Sequence, residues 1–177
     1  MDLGLISVRY ARALLKAGIE AKEAEKVYAD MQTLAGSYSS TPALRITIDN
    51  PMLSKKQKED LLLTAAAGGS CDLTKRFIEL VLKEDRESIM QFIANSFITL
   101  YRKHNNLISA KLTTACSIDS ATEAKMRQLV EGRTNGKVEF KTDVNPNIIG
   151  GFVLEYDTYR MDASVKRQLN TILSQLN

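Results

Sequence analysis

Apolar residues recur every three or four positions from Leu3 to about Asn105, which is the spacing of one face of an α-helix. The first such segment aligns Ile6, Tyr10 and Leu14 on one stripe, and further segments with similar spacing follow. The loops between the segments are short, which favours antiparallel packing of neighbouring helices. The pattern therefore predicts an antiparallel bundle of six helices in the first part of the chain.

Helix start and stop signals divide this bundle. Gly18 predicts the end of the first helix, and the second is expected at about residues 20–35. Thr41 followed by Pro42 is typical of an N-cap and a first-turn proline, and predicts a short third helix. Two serine–glutamine capping boxes predict the starts of the fourth and sixth helices. The boxes are Ser54 with Gln57 and Ser88 with Gln91, while Gly68-Gly69 ends the fourth helix and the fifth begins near Asp72.

The hydrophobic period changes from 3.6 to 2 after Asn105-Asn106, and this change marks the predicted domain boundary. The order of elements after it is strand, helix, strand, strand, strand, helix. We therefore expect a mainly α protein with a small α+β part: a helical bundle over residues 1–105 and a small mixed strand and helix domain over residues 106–177.

Alternation in the second domain predicts which side chains are buried. The first helix of this domain is expected to start at Asp119 or Ser120, with Glu123 completing a capping box. The predicted inward positions are Ile108, Ala110, Leu112, Thr114 and Cys116 on the first strand, Val138, Phe140, Thr142 and Val144 on the second, and Met126, Leu129 and Val130 on the helix between them.

Composition is that of a globular protein, with 44% hydrophobic and 25% charged residues. The formal net charge of +3 is spread over both halves, so no block of like charge suggests a polyanionic partner. Apolar runs such as Leu61-Leu62-Leu63 fall far below the roughly 20 residues that span a bilayer. The N-terminus lacks the basic start of a secretory signal, so we expect a cytoplasmic protein.

Residues that could carry catalysis or bind a metal are sparse. Cys71 and Cys116 are far apart and lack metal-ligand spacing, so both are expected to be reduced packing residues. His104 is the one histidine, and its place beside Lys103 is typical of a helix C-terminus. We therefore expect no catalytic residue, no metal and no cofactor.

The most specific motif lies near the C-terminus, from Asn145 to Leu169. It predicts a polar turn, a glycine pair entering a short apolar strand, a tight return, and a capped helix with its apolar residues on one face. The residues that define this C-terminal signature are Gly150, Gly151, Asp162, Ser164 and Val165. Nothing in the motif is a nucleophile, a metal cluster or a phosphate loop, so its role is expected to be structural.

This C-terminal signature resembles that of the delta subunit family of F-type ATP synthases, whose mitochondrial counterpart is the oligomycin sensitivity-conferring protein. Two further segments are similar to the family in order and spacing: Val8-Arg9-Tyr10-Ala11-Arg12-Ala13-Leu14 and Leu82-Lys83-Glu84-Asp85-Arg86. Two positions depart from the family pattern, since Ala163 and Asp157-Thr158 stand where glycines are common. These departures bear on the shape of the hairpin and touch no reacting group.

The resemblance implies a non-catalytic stator subunit that links the catalytic head to the peripheral stalk. Such a subunit keeps the head from turning with the rotor and so couples ion flow to ATP synthesis. It also implies that an N-terminal helix of an alpha subunit binds between the first and fifth helices, and that the C-terminal domain holds the stalk b subunits. The groove between these two helices would be lined by some of Val8, Ala11, Leu15, Phe77, Val81 and neighbouring residues. Simple packing in the bundle core is the alternative for each of them.

The same resemblance implies a peripheral protein on the cytoplasmic face of a bacterial inner membrane, attached through the complex without inserting. A rival interpretation from the residues alone is a basic nucleic-acid-binding adaptor, since the sequence pI is about 8.8. The strand from Lys137 to Val144 argues against it, because Lys alternates there with Glu and Asp on the polar face. An enzyme is a third possibility, which the scarcity of titratable clusters disfavours.

Overall fold

The structure is a computed structural model that describes residues 3–66, 71–134, 137–156 and 158–176. The chain forms two compact units, Met1–His104 and Asn105–Asn177. The first unit is helical, and the second contains a small four-stranded mixed sheet with helices. The predicted class, mainly α with a small α+β part, is confirmed at this level.

The α-helices of the first unit are α1 (Leu3–Glu20), α2 (Ala24–Ser40), α3 (Pro42–Ile48), α4 (Lys55–Ala65), α5 (Asp72–Lys83) and α6 (Met90–His104). Their core consists of large apolar side chains that are almost completely removed from water: Val27, Met31, Leu34, Ile48, Leu62, Ile78, Met90, Ile93 and Phe97. Burial of this apolar surface supplies the main stabilisation of the unit. The predicted Gly68-Gly69 helix end lies outside the described residues.

The end of α1 differs from the prediction. The helix continues through Gly18 to Glu20, and Lys22 then adopts a left-handed φ of 58°. Glu23 N–H donates to the Gly18 carbonyl at 2.9 Å and Lys22 N–H donates to the Ile19 carbonyl at 3.1 Å, which is the hydrogen-bond pattern of a Schellman motif. Gly18 therefore lies in the last turn of the helix, and a lysine occupies the position that favours glycine.

One predicted capping box is present and the other is not. At the start of α4, the Ser54 side chain and the Gln57 side chain each accept a hydrogen bond from the other's backbone N–H. Ser88, by contrast, lies inside a single 3₁₀ turn, Glu87–Ile89, that runs directly into α6. Because that turn continues into the helix, α6 begins at Met90 and Ser88 is not its N-cap.

A side chain from another helix caps α5. The Asp30 carboxylate on α2 accepts hydrogen bonds from Cys71 N–H at 3.0 Å and from the Thr74 hydroxyl at 2.7 Å. A carboxylate at a helix N-terminus satisfies an unpaired donor and opposes the helix dipole. This contact fixes the start of α5 against α2.

The second unit contains β1 (Leu107–Thr114), α7 (Ser120–Thr134), β2 (Lys137–Val144), β3 (Phe152–Tyr156), β4 (Tyr159–Asp162) and α8 (Val165–Leu176). The sheet order is β2-β1-β3-β4, with β1 parallel to β2 and the other pairs antiparallel. α7 is the crossover that a parallel pair requires. The predicted order of strands and helices is therefore confirmed for the described residues.

The core of the second unit lies where β1, β2, β3 and α7 meet. Its buried members are Ala110, Leu112, Val130, Val138 and Leu154, with Met126 and Phe140 packed against them. The start of α7 is fixed by Asp119, whose side chain accepts from Thr122 N–H at 3.3 Å. The predicted capping box through Glu123 is wrong, because that carboxylate accepts from Arg127 at 3.2 Å instead. Leu129 is also predicted to be buried, but it is not among the side chains that the structure describes.

Burial along β2 departs from the prediction in its second half. Thr142 and Val144 are exposed, whereas Val138 and Phe140 pack on the core. β2 is an edge strand of the sheet, and only its first half contributes to the apolar cluster. Cys116 is also exposed rather than inward, because β1 ends at Thr114 and the chain turns there.

Candidate partner-binding surfaces

A groove of about 460 Å³ lies between α1 and α5. It is lined by Arg9, Tyr10, Ala13, Leu14, Ala17, Leu73, Arg76, Phe77 and Leu80. The positions 10, 13 and 17 on α1 and 73, 77 and 80 on α5 have the spacing of one helix face. The groove is therefore an apolar trough between two helix stripes, of the kind that receives an amphipathic helix.

Aromatic packing joins the two walls of this groove. The Tyr10 and Phe77 rings meet edge to face with centroids 6.4 Å apart. Leu80 is 48% exposed, so it offers apolar surface that the rest of the described chain leaves uncovered. A partner that covers Leu80 stabilises the complex by about 25 cal/mol for each Å² of apolar surface removed from water.

The residues predicted for the groove fall mostly elsewhere. Phe77 lines it, but Ala11 and Val81 are both 0% exposed and belong to the core of the unit. Val8 and Leu15 are half-buried and do not line the groove. The lining of this groove thus differs from the predicted residues at these four positions.

The composition of the buried stripe of α1 explains this difference. That stripe is Ser7, Ala11, Leu14 and Gly18, which is mostly small. Small side chains let α1 approach its neighbours closely, and Ser7 Oγ lies 3.3 Å from Ser96 Oγ on α6. Close helix packing, and not the size of the apolar side chains, therefore sets which stripe of α1 is buried.

A second concavity, of about 620 Å³, lies among α2, α3 and α4. Three of its polar side chains are hydrogen-bonded locally, among them Ser37, whose Oγ donates to the Ala65 carbonyl at 2.8 Å, and Thr64, whose Oγ1 donates to the Asp60 carbonyl at 2.7 Å. Gln57 in its lining belongs to the α4 capping box. With these groups already paired, this concavity is a weaker candidate for partner recognition than the α1–α5 groove.

The last helix exposes apolar side chains. Leu169, Ile172 and Leu173 on α8 are all exposed, and Leu173 reaches 59%. Their spacing places them on one face, as the sequence predicts. A stripe of large aliphatic side chains in water is typical of a surface that a partner covers.

The C-terminal signature joins the start of α8 to the start of β3. Gly151 has a φ of 73°, and a side chain added there would overlap the Ala163 carbonyl oxygen. Val165 N–H donates to the Gly150 carbonyl at 3.0 Å, and Ala163 N–H donates to the Phe152 carbonyl at 2.9 Å. The glycine pair thus permits a close backbone contact that joins the start of β3 to the start of α8.

Asp162 and Ser164 complete this joint. The Asp162 carboxylate accepts from the Ser164 hydroxyl at 2.6 Å and from Ser164 N–H at 3.0 Å. Those two hydrogen bonds hold the pKa of Asp162 below its ordinary value. Ser164 Oγ in turn accepts from Arg167 N–H at 3.2 Å, which makes Ser164 the N-cap of α8.

Within residues 3–66, 71–134, 137–156 and 158–176 there is no cluster of three or more His, Cys, Asp or Glu side chains that could hold a metal ion. In the same ranges no helix is both long and apolar enough to cross a membrane. Cys71 and Cys116 are free thiols.

Two compact units, each with an uncovered apolar surface, are typical of a scaffold protein. Comparison with known proteins identifies which scaffold this is. The sequence model of the ATP synthase delta (OSCP) subunit family matches residues 6–176, and the chain belongs to that family. This family is a structural stator subunit of ATP synthase and not a catalytic one, so the predicted non-catalytic stator role is confirmed.

Similar chains cover the whole length. The ATP synthase subunit delta of Phocaeicola vulgatus is 44% identical over 176 residues, covering 99% of this chain and 95% of the relative. That of Parabacteroides distasonis is 39% identical over 176 residues, covering 99% and 98%. A chain in the cryo-EM structure of the Toxoplasma gondii mitochondrial ATP synthase hexamer matches the fold with a TM-score of 0.66, 24% identity and 96% coverage of both chains.

Proposed function

We propose that this chain joins the head of a bacterial ATP synthase to its stalk by two separate contacts. The α1–α5 groove receives the N-terminal helix of an alpha subunit, and the second unit holds the ends of the b subunits through the exposed face of α8. The uncovered apolar groove is the observation that supports the first contact. The exposed stripe at Leu169, Ile172 and Leu173 supports the second.

Several finer features belong to this proposal. The first unit acts as the six-helix bundle domain of residues 1–105, and residues 106–177 form the stalk-binding domain. The protein lies peripherally at the cytoplasmic face of the inner membrane, held there by the complex. The nucleic-acid-binding alternative finds no support in the comparisons. Beside the exposed end of β2, Lys111 of β1 pairs with Asp143 at 3.1 Å, which reduces the positive charge available to a phosphate backbone.

A stator contact must outlast many catalytic cycles. With an association rate of about 10⁶ M⁻¹s⁻¹ and a dissociation constant of about 1 nM, the complex lasts on the order of 10³ s. On the millisecond timescale of turnover, such a contact is effectively permanent. A helix buried in an apolar groove supplies affinity of this order after the costs of association.

Leu80→Asp tests the groove. Leu80 is 48% exposed, so the isolated fold tolerates the change, whereas a bound helix would bury a carboxylate in place of apolar surface. We expect at least about tenfold weaker binding of the alpha N-terminal peptide, measured by titration calorimetry. Ile46→Asp is the matched control, since Ile46 is 76% exposed and lies outside the groove.

Leu173→Asp tests the other contact in the same assay format. We expect it to weaken capture of a fragment from the C-terminal end of the b protein while leaving binding of the alpha peptide unchanged. Leu80→Asp should show the reverse pattern. Unchanged affinity for both partners in both variants, with the fold intact by circular dichroism, would remove the proposed division of labour.

A further inference from the structure

We propose that the α1–α5 groove selects its helix by charge as well as by shape, with Arg9 and Arg76 on opposite walls taking acidic side chains that flank the apolar stripe of the bound helix. This inference rests on the proposed head-binding role of the groove and adds the chemistry of its ligand. The partner is an amphipathic helix with carboxylates on both edges of its buried face.

The two permanently charged groups that line the groove are both guanidinium groups. Arg9 comes from α1 and Arg76 from α5, and both are exposed. Among the residues that the structure describes, neither guanidinium group forms an ion pair or a hydrogen bond. The groove therefore presents two unpaired positive charges beside apolar surface and offers no negative charge of its own lining to neutralise them.

The acidic side chains near the two arginines in sequence, including Glu79 on α5, are not among the groove-lining residues. Asp72, one turn before Arg76, lies 3.8 Å from the Lys75 ammonium. On α1, Glu20 lies 3.9 Å from Lys16, beyond the groove lining. The positive potential at the two walls is thus left for an incoming ligand.

The shape of the groove sets where the carboxylates must lie. Ala13 and Ala17 have small side chains, so the α1 wall lets a partner helix approach closely. Arg9 is at the opposite end of the α1 stripe from Ala17, and Arg76 lies between Leu73 and Leu80 on α5. A helix lying along the trough with apolar residues at i, i+3, i+4 and i+7 meets one arginine on each flank.

Such charges act mainly on the rate of association. Exposed ion pairs contribute little to affinity, whereas complementary potentials speed encounter and lose this effect in salt. We therefore expect Arg9→Glu with Arg76→Glu to lower the association rate of the alpha N-terminal peptide about tenfold at low salt. The difference should fall below about twofold at roughly 0.5 M NaCl, where the screening length is only a few ångströms.

The test is stopped-flow binding of the full chain to a synthetic peptide of the first twenty or so residues of the alpha subunit from the same organism. A second peptide carries Asn and Gln in place of its Asp and Glu. The matched control is Lys56→Glu with Lys103→Glu, which changes the net charge equally at exposed positions outside the groove. Circular dichroism verifies that each variant is folded.

Support for the inference is a slow double arginine variant, a normal lysine control, and loss of the difference with the neutral peptide. A double arginine variant that associates like the parent, or a lysine control that slows equally, overturns it. Leu80→Asp separates the two proposals. If Leu80→Asp loses binding while the double arginine variant associates normally, the groove is retained as the binding site and selection by charge is rejected. Normal binding of Leu80→Asp rejects the groove itself.

Discussion

Replacing Gly151 by alanine tests how the C-terminal signature holds the second unit together. The φ of 73° at Gly151 costs alanine about 1 kcal/mol, and its Cβ would overlap the Ala163 carbonyl oxygen. That oxygen is backbone, so the contact cannot be relieved by turning a side chain. The chain at Ala163 has to move away from β3.

That movement breaks the two hydrogen bonds that close the joint. They run from Ala163 N–H to the Phe152 carbonyl at 2.9 Å and from Val165 N–H to the Gly150 carbonyl at 3.0 Å. Each contributes about 1 kcal/mol, so with the strained φ the total loss is about 3 kcal/mol in the free energy of unfolding of the second unit. For a unit of this size the midpoint falls by about 12–24 °C.

Hydrogen exchange measured by mass spectrometry locates the effect, because it reports the two units separately. We expect faster exchange across β1, β3 and α7 in Gly151→Ala and unchanged exchange in α1–α6. Gly36→Ala is the matched control, since a Cβ there meets nothing within 4 Å and Gly36 lies within α2. That variant should be more stable by about 0.5–1 kcal/mol. Equal effects of the two substitutions would refute the steric argument.

Two further predictions concern a helix end and pH. Lys22→Gly should raise the free energy of unfolding of the first unit by about 0.5–1 kcal/mol in urea titrations, because Lys22 holds a left-handed φ of 58°; a loss of stability would contradict the Schellman geometry. Asp162→Asn should lower the stability of the second unit at pH 7, because the pKa of Asp162 is held below its ordinary value by hydrogen bonds from Ser164. A carboxyl group whose pKa is depressed by folding contributes stability at pH values above its unfolded pKa of about 3.9. The difference in stability between Asp162→Asn and the parent should therefore shrink as pH falls below about 4. A difference that stays constant with pH would contradict this prediction.

The local sequence determined much of the secondary structure. Ser54 and Gln57 form their capping box because both partners lie within one turn, and no distant contact is needed. The alternation at Leu107–Thr114 predicts β1, and the glycine pair with Asp162 and Ser164 predicts the strand, return and capped helix at the C-terminus. The resemblance of these segments also pointed to the family that the comparisons show.

Tertiary structure decided which apolar stripe of each helix faces inward. On α1 the small residues Ser7, Ala11 and Gly18 are buried because close helix packing needs little volume, and this leaves Tyr10 and Ala13 for the groove. No local signal distinguishes these stripes, since both recur at helical spacing. Of the residues predicted for the groove, Phe77 lines it in the structure, and their role in partner binding stays a prediction.

Long-range contacts also placed charges and ends that a linear pattern leaves open. Asp30 caps α5 from another helix, across 41 positions to Cys71, and so replaces a local N-cap. Arg9 and Arg76 become two walls of one trough only when α1 and α5 pack side by side. The sequence by itself thus determined most helices and strands and pointed to the family, because these follow from patterns among residues close together in the chain. The fold alone decided the proposed binding groove, because a groove is made by residues from two helices far apart in sequence.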